Sequence, residues 1–232
     1  NLDRLNESIA NGFITPWVIW YYAEHMKMIK PEINNTQKDQ IDNIPNRNND
    51  IKLNGDELFK LTKSKHIISF GDSHGMIFRD HRFIKNFYIG AATLYNINNP
   101  NSSSGAHNKI IDKLTNYHPE DTSLILTVGE IDLRNHVHKQ SRRQNRLPEL
   151  IVRDIVELYM SFLDKLRLKG YQVLVNAPHC GGGEGQASVP LEERNDICFH
   201  MNTLLLKRCK QRNIRRASLQ DIVVDPITRK NK

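Results

Sequence analysis

No stretch of this 232-residue chain approaches the roughly 20 consecutive apolar residues that span a bilayer, so no membrane-spanning helix is expected. Cysteine is scarce: Cys180, Cys198 and Cys209 form neither a CxxC pair nor an even-numbered framework. That excludes a disulfide scaffold and suits a reducing compartment, with the cytoplasm as the expected location. The chain opens on Asn1 rather than Met, which leaves a trimmed start and a removed targeting segment open. His179-Cys180 and Cys198-x-His200 have poor spacing for zinc, and no metal or cofactor is expected. Aromatic residues are few and are not interleaved with the basic ones. No DNA-reading motif is present either, so the net charge of +7 does not by itself point to nucleic acid. An anionic glycan or a phosphate-bearing ligand stays open as a partner. The charge is concentrated in "HKQSRRQNR" (138–146) and "KRCKQRNIRR" (207–216), which read as solvated helix ends and loops.

Hydrophobic content of 38% with 25% charged residues suits one globular α/β domain with an appendage rather than two complete domains. Residues 13–30, "FITPWVIWYYAEHMKMIK", predict an amphipathic helix stopped by Pro31, with Trp17, Trp20, Tyr21 and Met28 forming a packing stripe. Residues 32–55 are rich in Asn, Asp, Gln and Lys, contain Pro45 and read as a linker. The division expected is therefore 1–55 for the helix and linker, and 56–232 for the main domain. Within the latter, "HIISF" (66–70), "NFYIG" (86–90), "SLILTVG" (123–129) and "YQVLVNAP" (171–178) are short apolar runs of the kind that form buried parallel strands. A fifth strand is expected near "ASLQDIV" (217–223).

Helical patterns fall between the strands. In the clearest, residues 148–170, Ile151, Ile155, Leu158, Tyr159, Phe162 and Leu166 recur on one face before Gly170. A second long helix is expected over 191–212. The rhythm predicts an α/β fold, a flavodoxin-like three-layer α/β/α arrangement with about five parallel strands and an amino-terminal helical extension. In such folds the functional loops lie at the carboxyl ends of the strands. That rule brings Ser73, Gly90, the segment Glu130 to His136, and His179 to one edge.

Gly71-Asp72-Ser73-His74-Gly75 satisfies G-x-S-x-G, the elbow that presents a nucleophilic serine in α/β-hydrolases. That fold needs several strands before the elbow, and residues before 66 offer none. The glycine run "HCGGGEG" also follows the serine instead of preceding it. Asp72 and Ser73 can equally shape a turn, since both cap helices well.

A serine directly after the first strand resembles instead the SGNH/GDSL hydrolase superfamily, over roughly residues 64–225. "FGDSHG" (70–75) matches its first block, Gly90 in "YIGAAT" its second, and "VGEIDLRNHV" (128–137) its third, with Gly129 and Asp132 at the family spacing. Ile131 stands where the family's oxyanion asparagine is found. The block is similar to a variant branch reading Gly-Glu-Ile-Asp-Cys-Arg and then His, which Glu130, Asp132, Arg134 and His136 match and in which Leu133 replaces the cysteine.

The resemblance implies cleavage or transfer of acyl esters, most plausibly acetyl groups of a carbohydrate, with Ser73, Asp132 and His136 as catalytic candidates. It implies Gly90, Glu130, Arg134, His74 and His179 as oxyanion or substrate-binding candidates. Loss of the asparagine donor removes roughly 3 kcal/mol of transition-state stabilisation unless another group replaces it, and Arg134 is the candidate. Glu130, Asp132 and Arg134 also read as a structural salt-bridge knot. The family's carboxyl-terminal Asp-x-x-His is missing: Asp221 and Asp225 are present, but no histidine follows His200. Three explanations stand: the chain stops short of the motif, which is the one favoured; His74, His136 or His179 substitutes; or hydrolysis is lost and a module binding an anionic glycan or phosphate-bearing ligand remains.

Overall fold

The computed structural model describes residues 64–79, 83–179 and 189–218. The helix expected over 13–30, the linker over 32–55, Cys180 and most of "HCGGGEG" lie outside the described residues. Five strands, β1 (His66–Gly71), β2 (Ile84–Tyr88), β3 (Thr122–Thr127), β4 (Gln172–Asn176) and β5 (Arg215–Ala217), form one parallel sheet. Its order is β2-β1-β3-β4-β5. The chain thus steps outward from β1 to β2 and then crosses back past β1 to β3, which creates a topological switch point between β1 and β3. In open α/β sheets the crevice beyond the strand ends at that point is where ligands bind.

The helices are α1 (Ala106–Leu114), α2 (Val137–Gln144), α3 (Pro148–Leu168) and α4 (Leu191–Gln211). Strand residues alternate sides, and one side carries the core: Ile68, Phe70, Leu124, Leu126, Val173 and Val175 join a single buried cluster. The helices add Ile110, Ile155, Phe162, Met201 and Leu205 to it. Proline at the first position of α3 starts that helix with its fixed φ, and basic residues in its last turn suit the negative end of the helix dipole. No helix among the described residues is long and apolar enough to cross a membrane.

Two local expectations are corrected. The second strand lies at 84–88 instead of 86–90. As an edge strand it is only half-buried, so Lys85 and Asn86 interrupt the apolar signal that marks strand interiors. The fifth strand, expected near 217–223, is described over Arg215–Ala217, where the polar "RRA" pairs through its backbone with β4; residues 219–223 lie outside the described residues. Leu158, expected on the core face of α3, is 38% exposed, whereas Ile155, Tyr159 and Phe162 are buried. The basic run 207–216 is tied to α3: Arg208 and Arg212 both meet Glu157, and Arg212 also reaches Asp164.

Candidate active site

The turn after β1 is built by its own sequence. Asp72 donates its N–H to Thr127 O (3.2 Å), continuing the β1–β3 ladder one residue past the strand. Its carboxylate Oδ1 then accepts the N–H of His74 (2.9 Å), the N-cap contact that starts a 3-10 helix over Ser73–Phe78. The turn folds back so tightly that a Cβ on Gly71 would lie 2.6 Å from the Cα of Gly75 and 2.8 Å from Thr127 O. Only glycine fits at 71. Gly71 and the Asp72 cap are thus requirements of the turn, which leaves Ser73 exposed as its first residue.

Behind the serine the groups are buried and charged. Asp72 is 3% exposed, and His74 Nδ1 lies 3.5 Å from Asp72 Oδ1, an ion-pair contact. Burial opposes the charge on His74, but Asp72, with a smaller contribution from Glu130, outweighs it and holds the imidazole above its ordinary pKa. The His74 ring meets His179, from the loop after β4, edge to face at 4.7 Å between centroids. Two of the expected histidines therefore meet beside Ser73.

The loop after β3 has two parts. Glu130, 7% exposed, has its carboxyl pushed up by burial, against the pull of Arg134, His74 and Arg194. Arg134 Nε sits 3.1 Å from Glu130 Oε1, one helical turn on. Arg194 of α4, 1% exposed, is a member of this group that the sequence did not reveal: in "LEERND" it reads as a solvated helix start. Asp132 is fully buried and directed elsewhere. Its carboxylate accepts the N–H of Leu94 (2.6 Å) and lies 3.4 Å from the N–H of Tyr95, pinning the loop that follows β2. Burial raises its pKa to about 7 against those two donors. The residues Asp132–His136 form a π-helical turn, a local widening frequent at functional sites. It turns the His136 ring onto Tyr95, 4.6 Å between centroids, where burial and Lys139 lower the imidazole pKa.

The residues expected at one edge therefore form two groups. Ser73, His74, His179, Glu130 and Arg134 gather at the β1/β3 switch point with Asp72. Asp132 and His136 join the Leu94–Tyr95 loop, and among the described residues neither hydrogen-bonds Ser73. Asp72 was visible in the sequence as a turn-former only. Its second role, orienting His74, depends on burial beneath β3, which local sequence does not report.

These features define the class: an α/β protein with a five-stranded parallel sheet and an exposed serine at the switch point. Two solved structures are similar to it. One is an acetyl xylan esterase, AlAXEase, 17% identical, covering 68% of this chain and 78% of that chain with a TM-score of 0.43. The other is an extracellular lipase from Streptomyces rimosus, 11% identical, covering 66% of this chain and 79% of that chain with a TM-score of 0.40. At such values the chemistry of the site rests on this chain's own residues. No family model and no curated protein sequence matches the chain.

Proposed function

We propose that this chain is a serine ester hydrolase or O-acyltransferase of SGNH type, acting on acyl esters, most plausibly acetyl groups of a carbohydrate. One observation carries the reading: Ser73 is exposed at the switch point while the groups that would serve it, Asp72, His74 and His179, are packed against one another just behind. In this reading Ser73 Oγ attacks the ester carbonyl carbon and its proton passes to the His74–His179 pair, with Asp72 orienting His74. The backbone N–H groups of Ser73 and Gly90 face the oxygen that becomes negative. Collapse of the tetrahedral intermediate expels the alcohol, which takes the proton. Water, or a second hydroxyl, then gives its proton to the same histidine pair and attacks the acyl-serine carbonyl; collapse releases the carboxylic acid, or the new ester, and the proton returns to Ser73 Oγ.

Glu130 and Arg134 pair across one turn of the loop after β3, and Asp132 and His136 position the loop after β2. The test is turnover of 4-nitrophenyl acetate and of a peracetylated sugar, each with and without an acceptor carbohydrate. Ester cleavage lost in Ser73→Ala supports the reading; cleavage retained in that variant overturns it. Transfer of acetyl to the acceptor, measured by mass, separates transferase from hydrolase.

A further inference from the structure

Asn202 stands on the buried face of α4, in "MNTLLL" (201–206), and is 3% exposed among core neighbours such as Met201 and Leu205. A buried amide costs free energy unless it is hydrogen-bonded. Its Nδ2 donates to Pro178 O at 2.7 Å and to Cys198 Sγ at 3.5 Å, while its Oδ1 accepts from Arg216 Nη2 of β5 at 3.4 Å. Arginine only donates and a carbonyl only accepts, so both partners demand the same orientation of the amide.

Pro178 is where the β4 ladder gives way to the loop. Ala177 N–H still bonds Ala217 O at 2.8 Å, and the next carbonyl, that of buried Pro178, is met by side chains of α4. Cys198 Sγ, one helical turn before Asn202, adds a weaker contact to it at 3.7 Å. The Pro178 ring in turn lies against Gly129, where a Cβ would come within 3.0 Å of Pro178 Cγ. The carbonyl of Pro178 and the N–H of His179 belong to one planar peptide. A bond that holds Pro178 O therefore sets the plane from which the His179 side chain departs, and that ring meets His74 at 4.7 Å between centroids.

We propose that Asn202 is a positioning residue for His179: by fixing the Pro178 carbonyl it holds the imidazole beside His74. This rests on the reading in which the His74–His179 pair takes the proton of Ser73. With Asn202 truncated, the buried carbonyl loses its amide donor and the 178–179 peptide turns to find another. The proton acceptor is then misplaced. Asn202 is buried and acts only through the loop, so its loss falls on kcat rather than KM.

The experiment compares wild type, Asn202→Ala, Asn202→Asp, Leu205→Ala, His179→Gln, the double variant Asn202→Ala/His179→Gln and Ser73→Ala, with 4-nitrophenyl acetate as substrate and below the Tm of every variant. Leu205, fully buried on the same helix, controls for a loosened α4. Expected for Asn202→Ala is a fall in kcat of at least about tenfold with KM within about twofold, and a further fall of less than about twofold where His179 is already Gln. Asn202→Asp keeps the shape and the Arg216 contact but turns an acceptor toward Pro178 O, and it shows the same loss. Leu205→Ala keeps kcat near the wild-type value. In the histidine-ring NMR spectrum the His179 signal, identified by its absence in His179→Gln, shifts in Asn202→Ala, while that of His66, at the far end of β1 from the site, stays. A kcat near wild type in either Asn202 variant or in His179→Gln, with Ser73→Ala inactive, overturns the role of Asn202 and leaves the nucleophile standing. An equal fall in Leu205→Ala, an equal fall with and without His179, or an unmoved His179 signal overturns it as well. If Ser73→Ala retains full turnover, the nucleophile reading fails and this inference with it.

Discussion

Asp72 and Asp132 sit at the carboxyl ends of neighbouring strands, both almost wholly buried, yet they are used in opposite ways. Asp132 directs both carboxylate oxygens to backbone N–H groups of the loop after β2 and is enclosed. Asp72 gives one oxygen to its own turn and to His74, beside an exposed serine. Its other oxygen, Oδ2, has no hydrogen-bond partner among the described residues. One aspartate holds the edge of the sheet in shape; the other lies against His74, the histidine that the proposed reaction uses. The two regions should therefore separate stability from activity.

The largest effect on folding is expected from Asp132→Ala, which leaves the N–H groups of Leu94 and Tyr95 without an acceptor. A loss of about 2–4 kcal/mol is expected from urea unfolding. Next comes Gly71→Ala, whose Cβ meets the backbone at Gly75 and Thr127; overpacking against backbone costs about 2 kcal/mol, read in the same assay. Asp72→Ala removes an N-cap, about 1 kcal/mol, together with the carboxylate that faces His74, and it should reduce ester turnover far more than a cap loss explains. If Asp72→Ala destabilises more than Asp132→Ala and leaves turnover intact, the contrast between the two residues is wrong.

The same contrast extends to the pH dependence of stability. Both Asp132 and His74 have folded pKa values raised above their unfolded ones, so each contributes stability that is lost as pH rises. For Asp132 the contribution is present below 3.8 and lost as pH climbs through about 7. For His74 it is present below 6.5 and lost as pH rises through a folded value above that. Unfolding free energies measured across pH 4 to 9 should decline for wild type. Asp132→Asn should flatten the lower part of that curve and His74→Gln the upper part. An unchanged slope in both variants contradicts the assigned environments.

Much of this arrangement was legible in the sequence. The interior strands and α3 and α4 announce themselves because full burial demands continuous apolar runs or a helical stripe. Edge strands do not, as "IKNFY" and "RRA" illustrate: they are held by backbone pairing that polar residues also allow. At the site, strand order was enough to bring Ser73, Gly90, Glu130 and His179 to one edge. It could not set Asp132 and His136 apart from them, because that turns on which carboxylate meets which N–H 38 residues away in sequence.

The central claim is that Ser73 is the reacting group. Intact-mass analysis after treatment with a fluorophosphonate probe, followed by peptide mapping, tests it most directly. One adduct per chain on the peptide containing Ser73, absent from Ser73→Ala at unchanged Tm, is the predicted result. No adduct in the folded wild type, or an adduct that persists in Ser73→Ala, would contradict it.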